Sequence, residues 1–98
     1  MNLIKNRNGS ELTFALDGRL DTITAPQLDQ ALQESLEGIT SLTFDLEKLV
    51  YISSAGLRSL LVAQKAMNKK GSMKIKNAGA AIMEVFTVTG FADILTIE

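Results

Sequence analysis

Ser41-Leu42-Thr43-Phe44-Asp45-Leu46-Glu47-Lys48-Leu49-Val50-Tyr51-Ile52-Ser53-Ser54-Ala55-Gly56-Leu57-Arg58 joins a strand to the start of a helix. Leu42, Phe44 and Leu46 alternate with polar residues, the period-2 signature of a half-buried strand over 41–46. A short connection through Leu49–Ile52 is expected next. Ser53 then suits an N-cap, because its side-chain oxygen can accept an orphan N–H. Leu57, Leu60, Leu61, Gln64 and Met67 follow at helical spacing. Lys69, Lys70 and Gly71 close that helix, with cations at the negative pole of its dipole and glycine beyond the last turn.

The flanking sequence alternates in the same way. Residues 2–7 form a short strand, Asn8-Gly9 a turn, and 11–17 a second strand with Leu12, Phe14 and Leu16 on one face. These two strands are expected to pair antiparallel, and Gly18 to end or bend the second. Thr24 and Gln27 match a capping box, with Pro26 in the first turn of a helix. Leu28, Ala31, Leu32, Ser35, Leu36 and Ile39 make that helix's buried stripe. Residues 72–77 read as a further strand through Met73 and Ile75. Residues 80–89 read as a helix carrying Ile82, Val85 and Phe86 and stopped by Gly90. Phe91, Ile94, Leu95 and Ile97 are expected to tie the tail to the core, and Met67 and Met73 to fill it. The order β-β-α-β-α-β-α predicts one α/β domain over 1–98. Its mixed sheet has four or five strands with flanking helices, and right-handed crossovers make the later strands parallel.

Composition removes several function classes. The apolar fraction is 46% and the charged fraction 21%, as in ordinary globular chains. Ten basic residues face eleven acidic ones, for a net charge of −1, so the basic excess that a nucleic-acid partner demands is missing. There is no Cys and no His. Disulfides, thiol nucleophiles, His-based triads and the usual zinc sites are therefore excluded. No stretch approaches the roughly 20 apolar residues of a membrane helix, and the first residues carry no apolar signal core. A cytoplasmic domain without metal, cofactor or catalytic role is expected. Asp21 and Asp45 could pair for acid–base work or hold Mg²⁺, but no nucleophile or phosphate loop accompanies them. Asn77-Ala78-Gly79 lacks the Lys and the spacing of a P-loop.

Ser53-Ser54-Ala55-Gly56 admits two readings. In the first it is a cap followed by a packing glycine. In the second it is a modification site. A phosphate on Ser54 would meet free N–H donors and the positive end of the helix dipole, adding nearly two negative charges without melting the helix. A partner docked over small, uncharged residues would then be rejected. Asp21 is either a solvated turn residue or a partner contact, with Thr22 and Thr24 offering hydroxyls nearby. Asp45 is expected at the strand end near this loop, accepting backbone N–H groups. Arg58 is either plainly solvated or a charge contact to a partner.

At these residues the chain resembles STAS domains of the anti-sigma factor antagonist family, over essentially its whole length. The resemblance is carried by Gly18-Arg19-Leu20-Asp21, by Asp45-Leu46-Glu47 and by Ile52-Ser53-Ser54-Ala55-Gly56-Leu57. It implies a STAS-like mixed sheet and a regulatory binding module. The implied partners are an anti-sigma factor of the serine-protein kinase type and a PP2C-type phosphatase. Antagonist binding would release the sigma factor, and phosphorylation would end it. The resemblance puts the phosphoacceptor on Ser54, and the partner contact on Asp21, Thr22, Ser53, Ser54, Ala55, Gly56, Leu57 and Arg58. Ser53 stands where many members carry Asp. The alternative that the resemblance allows is a cytosolic STAS subunit of a lipid-transport ABC complex.

Overall fold

The computed structural model describes residues 1–98. Its elements are β1 (Asn2–Asn8), β2 (Glu11–Leu20), α1 (Ala25–Ser35), β3 (Ser41–Ile52), α2 (Ser54–Asn68), β4 (Ser72–Lys76) and α3 (Ala80–Thr89), followed by a 3₁₀ turn at Phe91–Asp93. The sheet has four strands in the order β1-β2-β3-β4. β1 is antiparallel to β2, while β2–β3 and β3–β4 are parallel.

Register and alternation together build the core. Phe14 lies opposite Phe44, and Phe44 opposite Ile75. The two phenylalanine rings stack with centroids 6.0 Å apart. Leu12, Leu16, Leu42, Leu46 and Met73 share this buried face. The chain steps from β2 to β3 to β4 in one direction across the sheet. Two right-handed crossovers therefore put α1 and α2 on the same side. Leu28 and Leu32 from α1, Leu60, Ala63 and Met67 from α2, and Ile82 and Phe86 from α3 complete one continuous core. Parallel sheets normally need cover on both faces. Here the second face is polar enough to do without it, since Thr13, Asp17, Asp45, Lys74 and Lys76 alternate with the core residues.

Several sequence expectations are corrected. β3 does not stop at Leu46 before a connection; it continues through Ile52, because Lys48, Leu49, Tyr51 and Ile52 keep pairing with β2. β2 likewise runs past the expected end at residue 17 to Leu20, and of the two outcomes expected at Gly18 it is the bend that occurs. Gly18 sits at φ +109, in the region that favours glycine, and the register shifts on either side of it. No capping box forms at α1. Thr24 is the N-cap residue, but its side chain makes no cap bond; it is engaged in the preceding loop instead. The tail is anchored by Leu95 and by Ile97, which makes an isolated parallel bridge to Ile75 rather than a fifth strand. Ile94 is largely exposed and does not join the core.

Candidate functional site

The C-terminal ends of β2 and β3 lie side by side, with Leu20 opposite Ile52. Each leads directly to a helix start, so the loop 21–24 and the first turn of α2 are neighbours. The Ser53 N–H donates to the Leu20 carbonyl at 2.9 Å and ties the two together. Ser53 caps α2 as expected: its extended backbone turns the chain, and its Oγ accepts from the Gly56 N–H at 3.4 Å. Ser54 is the first helical residue, and it is exposed. The Ser54 and Ala55 N–H groups have no intrahelical acceptor and lie at the helix N-terminus beside its hydroxyl.

Gly56 is where the helix meets the sheet. A Cβ there would stand 2.7 Å from Leu20 Cγ, 2.9 Å from Ile52 Cγ1 and 2.9 Å from the Leu20 carbonyl oxygen. Gly56 and Leu57 are buried. This corrects the expectation that they lie on a contact surface, because both face the protein's own core. Exposed around Ser54 are Thr22 and Arg58, with Ser53, Ala55 and Asp21 half-buried.

Asp21 is occupied by its own loop. Its Oδ1 accepts from the Ile23 N–H at 3.0 Å and from the Thr24 N–H at 3.1 Å. The Thr24 hydroxyl accepts from the Asp21 N–H at 2.8 Å and reaches the Arg19 carbonyl at 2.7 Å. Arg19 Nε lies 3.6 Å from Asp21 Oδ2, and its guanidinium also covers the Tyr51 ring, 4.1 Å from the centroid. The Thr24 N–H holds the Asp21 carboxyl below the usual carboxylate range, helped by the Ile23 N–H, the Thr24 hydroxyl and Arg19, against a smaller opposing effect of desolvation. A depressed pKa gives a contribution that is complete at neutral pH and lost as pH falls through the folded value. The Ile23 and Thr24 amides should therefore be protected from hydrogen exchange at neutral pH. They should lose that protection only as pH falls below the ordinary carboxylate range, and at neutral pH in Asp21→Ala. Protection unchanged in Asp21→Ala would show that the carboxylate does not order the loop.

This rigid loop presents Ile23, which is 87% exposed. Sequence reading passed over Ile23. The available signal was an apolar residue between turn formers, off the stripe of the helix that follows. Tyr51 was passed over too, since it reads as part of a connection unless β3 is seen to continue. Asp45 lies elsewhere. Its Oδ1 accepts from the Glu47 N–H and the Asn77 Nδ2, both at 3.1 Å, at the end of β4. Six residues of extended chain lie between it and Ile52, a span of about 23 Å. The expectation that it neighbours the Ser54 loop is thus corrected, and Asp21 and Asp45 are too far apart to pair. No three acidic side chains converge to hold a metal ion, and no helix is long and apolar enough to cross a membrane.

Comparison with known proteins agrees with this geometry. The family described as Mlab, STAS domain, matches residues 4–96. The anti-sigma-B factor antagonist of Listeria monocytogenes is 30% identical over 98 residues, covering 97% of this chain and 85% of that protein. Among solved structures, an anti-sigma factor antagonist from Mycobacterium paratuberculosis superposes with a TM-score of 0.88 at 21% identity, covering 98% of this chain and 83% of that one. The Bacillus cell fate determinant SpoIIAA in its phosphorylated form gives a TM-score of 0.78 at 16% identity, covering 99% and 91%. These two likenesses establish the shared fold.

Proposed function

The chain belongs to the STAS domain family, and from that premise we propose that it is a non-enzymatic, cytoplasmic anti-sigma factor antagonist switched by phosphorylation of Ser54. The partner is an anti-sigma factor of the serine-kinase type. It docks over Thr22, Ser53, Ser54, Ala55 and Arg58, beside the loop that Asp21 orders. One observation carries the reading: Ser54 is exposed at the first position of a capped helix, in a chain whose relative is named an anti-sigma-B factor antagonist.

The chemistry at that position is simple. The Ser54 Oγ attacks the γ-phosphorus of ATP held by the partner. The Oγ–P bond forms, the bond to the β-phosphate oxygen breaks, ADP leaves, and the hydroxyl proton passes to a base of the kinase. The product carries nearly two negative charges at the positive end of α2, where they are tolerated by the fold. A partner surface packed against a neutral hydroxyl meets that dianion desolvated and unpaired, and the complex dissociates. A PP2C-type phosphatase restores the hydroxyl by hydrolysis.

The test is binding to the anti-sigma factor recovered on the wild-type chain. Ser54→Asp and the phosphorylated chain should bind it about 100-fold more weakly, a loss near 2.7 kcal/mol, with unchanged thermal unfolding. Ser54→Ala should bind normally and accept no phosphate. Equal binding by all forms would overturn the proposal. A permease and ATPase recovered alike on wild type and Ser54→Asp would point to the lipid-transport subunit instead.

A further inference from the structure

α1 and α2 follow parallel strands on one face of the sheet, so their N-termini lie at the same end. Between them runs a groove of about 410 Å³. Asp29 and Arg58, each one turn into its helix, stand at the end nearest Ser54. Leu32, Val62 and Ala63 line its middle, and Leu36 and Ala66 its far end. The groove follows α2 from Arg58 to Ala66, about 12 Å or two helical turns. Val62 on its wall is 58% exposed. Neither Asp29 nor Arg58 is in an ion pair.

Two mouth charges of opposite sign argue against a singly charged occupant. An anionic or cationic amphiphile would satisfy one of the two mouth charges and be repelled by the other. A peptide helix can carry an acid for Arg58 and a base for Asp29 while laying an apolar stripe on Leu32, Val62 and Ala66. We infer that this groove receives an amphipathic helix of the anti-sigma factor, about two turns long, an inference that rests on the antagonist reading. Its mouth is continuous with the Ser54 surface. Ser54 and Arg58 are four residues apart on α2 and share a helix face. A phosphate on Ser54 thus draws the Arg58 guanidinium to itself and away from the partner's carboxylate. Phosphorylation then acts twice: it repels the partner at the cap and removes the cation at the groove mouth.

The experiment uses the full chain and the anti-sigma factor recovered on it. Val62→Asp places a charge on the groove wall without touching a fully buried position, and should weaken binding at least about tenfold. Val88→Asp, on the more open surface of α3, should stay within about twofold. The chain has no cysteine, so Val62→Cys and Ala66→Cys can each carry a single photocrosslinker. Both should mark one partner segment at positions three or four residues apart. If Ser54→Asp abolishes binding while Val62→Asp does not, or if the crosslinks scatter, the groove inference falls and the antagonist reading stands. If neither substitution weakens binding, or no anti-sigma factor is recovered, the antagonist reading itself falls.

Discussion

Gly71→Ala is expected to destabilise the chain by about 3 kcal/mol or more, at the upper end of overpacking costs. In a domain of this size that lowers the unfolding midpoint by roughly 12–20 °C. The reason is steric. A Cβ at Gly71 would lie 1.9 Å from the Thr40 carbonyl oxygen and 2.7 Å from the Thr40 carbonyl carbon. Both atoms are backbone, and both are held. The Ser72 N–H donates to that oxygen at 3.0 Å, and the Gly71 N–H donates to the Met67 carbonyl at 2.7 Å. Relief requires parting the end of α2 from the start of β3, which breaks the first rung of the β3–β4 ladder at Ser41 and Ser72. The Lys70 ammonium bond to the Leu36 carbonyl at the end of α1 would be strained with it. The stiffer unfolded chain of the alanine variant returns only about 0.4–1 kcal/mol. Thermal or urea unfolding of the two proteins settles the matter, and a midpoint within 4 °C of wild type would show that the junction yields.

Gly71 also marks where sequence reading stops. A glycine after a helix was expected there and is present, but not for the anticipated reason. Its backbone is not in the left-handed region, unlike Gly9, Gly18, Gly38 and Gly90. The requirement comes from Thr40, thirty-one positions earlier, and no local pattern reports so distant a contact. The same division holds across the fold. Alternation in 11–17 and 41–46 and the stripes of the helices were legible because each encodes burial through its own period. The extension of β3 to Ile52 was not, because Glu47 and Lys48 break the alternation while β2, after a register shift, pairs again from Lys48 onward. Thr24 and Gln27 have the letters of a capping box, yet Asp21 and the Arg19 carbonyl compete for that threonine. Local motifs propose partners, and the tertiary neighbourhood chooses among them.

Legibility at the site divides along the same line. Ser53 as cap and Ser54 as exposed first residue followed from capping chemistry alone. The role of Asp21 did not, since its two amide partners become visible only once the loop is closed. Asp21 is thereby a positioning residue: its carboxylate accepts the Ile23 and Thr24 N–H groups and orders the loop on which Ile23 is exposed. A loop ordered before binding loses less conformational freedom when a partner arrives.

Gly56→Val is expected to remove about 3 kcal/mol of stability and to disturb the Ser54 surface at the same time. Its Cβ alone would meet Leu20 and Ile52 at 2.7 and 2.9 Å, and the nearby Leu20 carbonyl oxygen already accepts the Ser53 N–H. Two further methyl groups must push the first turn of α2 off the sheet. The Ser53 cap, a 3.4 Å bond to the Gly56 N–H, is then the first contact to fail, and the bond between the two loops is the second. Alanine at this position would regain up to about 1 kcal/mol of helix propensity over glycine, so valine, which recovers less, isolates the clash. Two readouts separate the consequences. Unfolding should report the lost packing, and exchange of the Ser53 amide should report the loosened tether even where the chain is still folded. If stability falls while the Ser53 amide keeps its protection, Gly56 serves the core alone. If both fall together, the small residues after Ser54 are there because the helix that presents the hydroxyl can reach its place on the sheet only through a glycine.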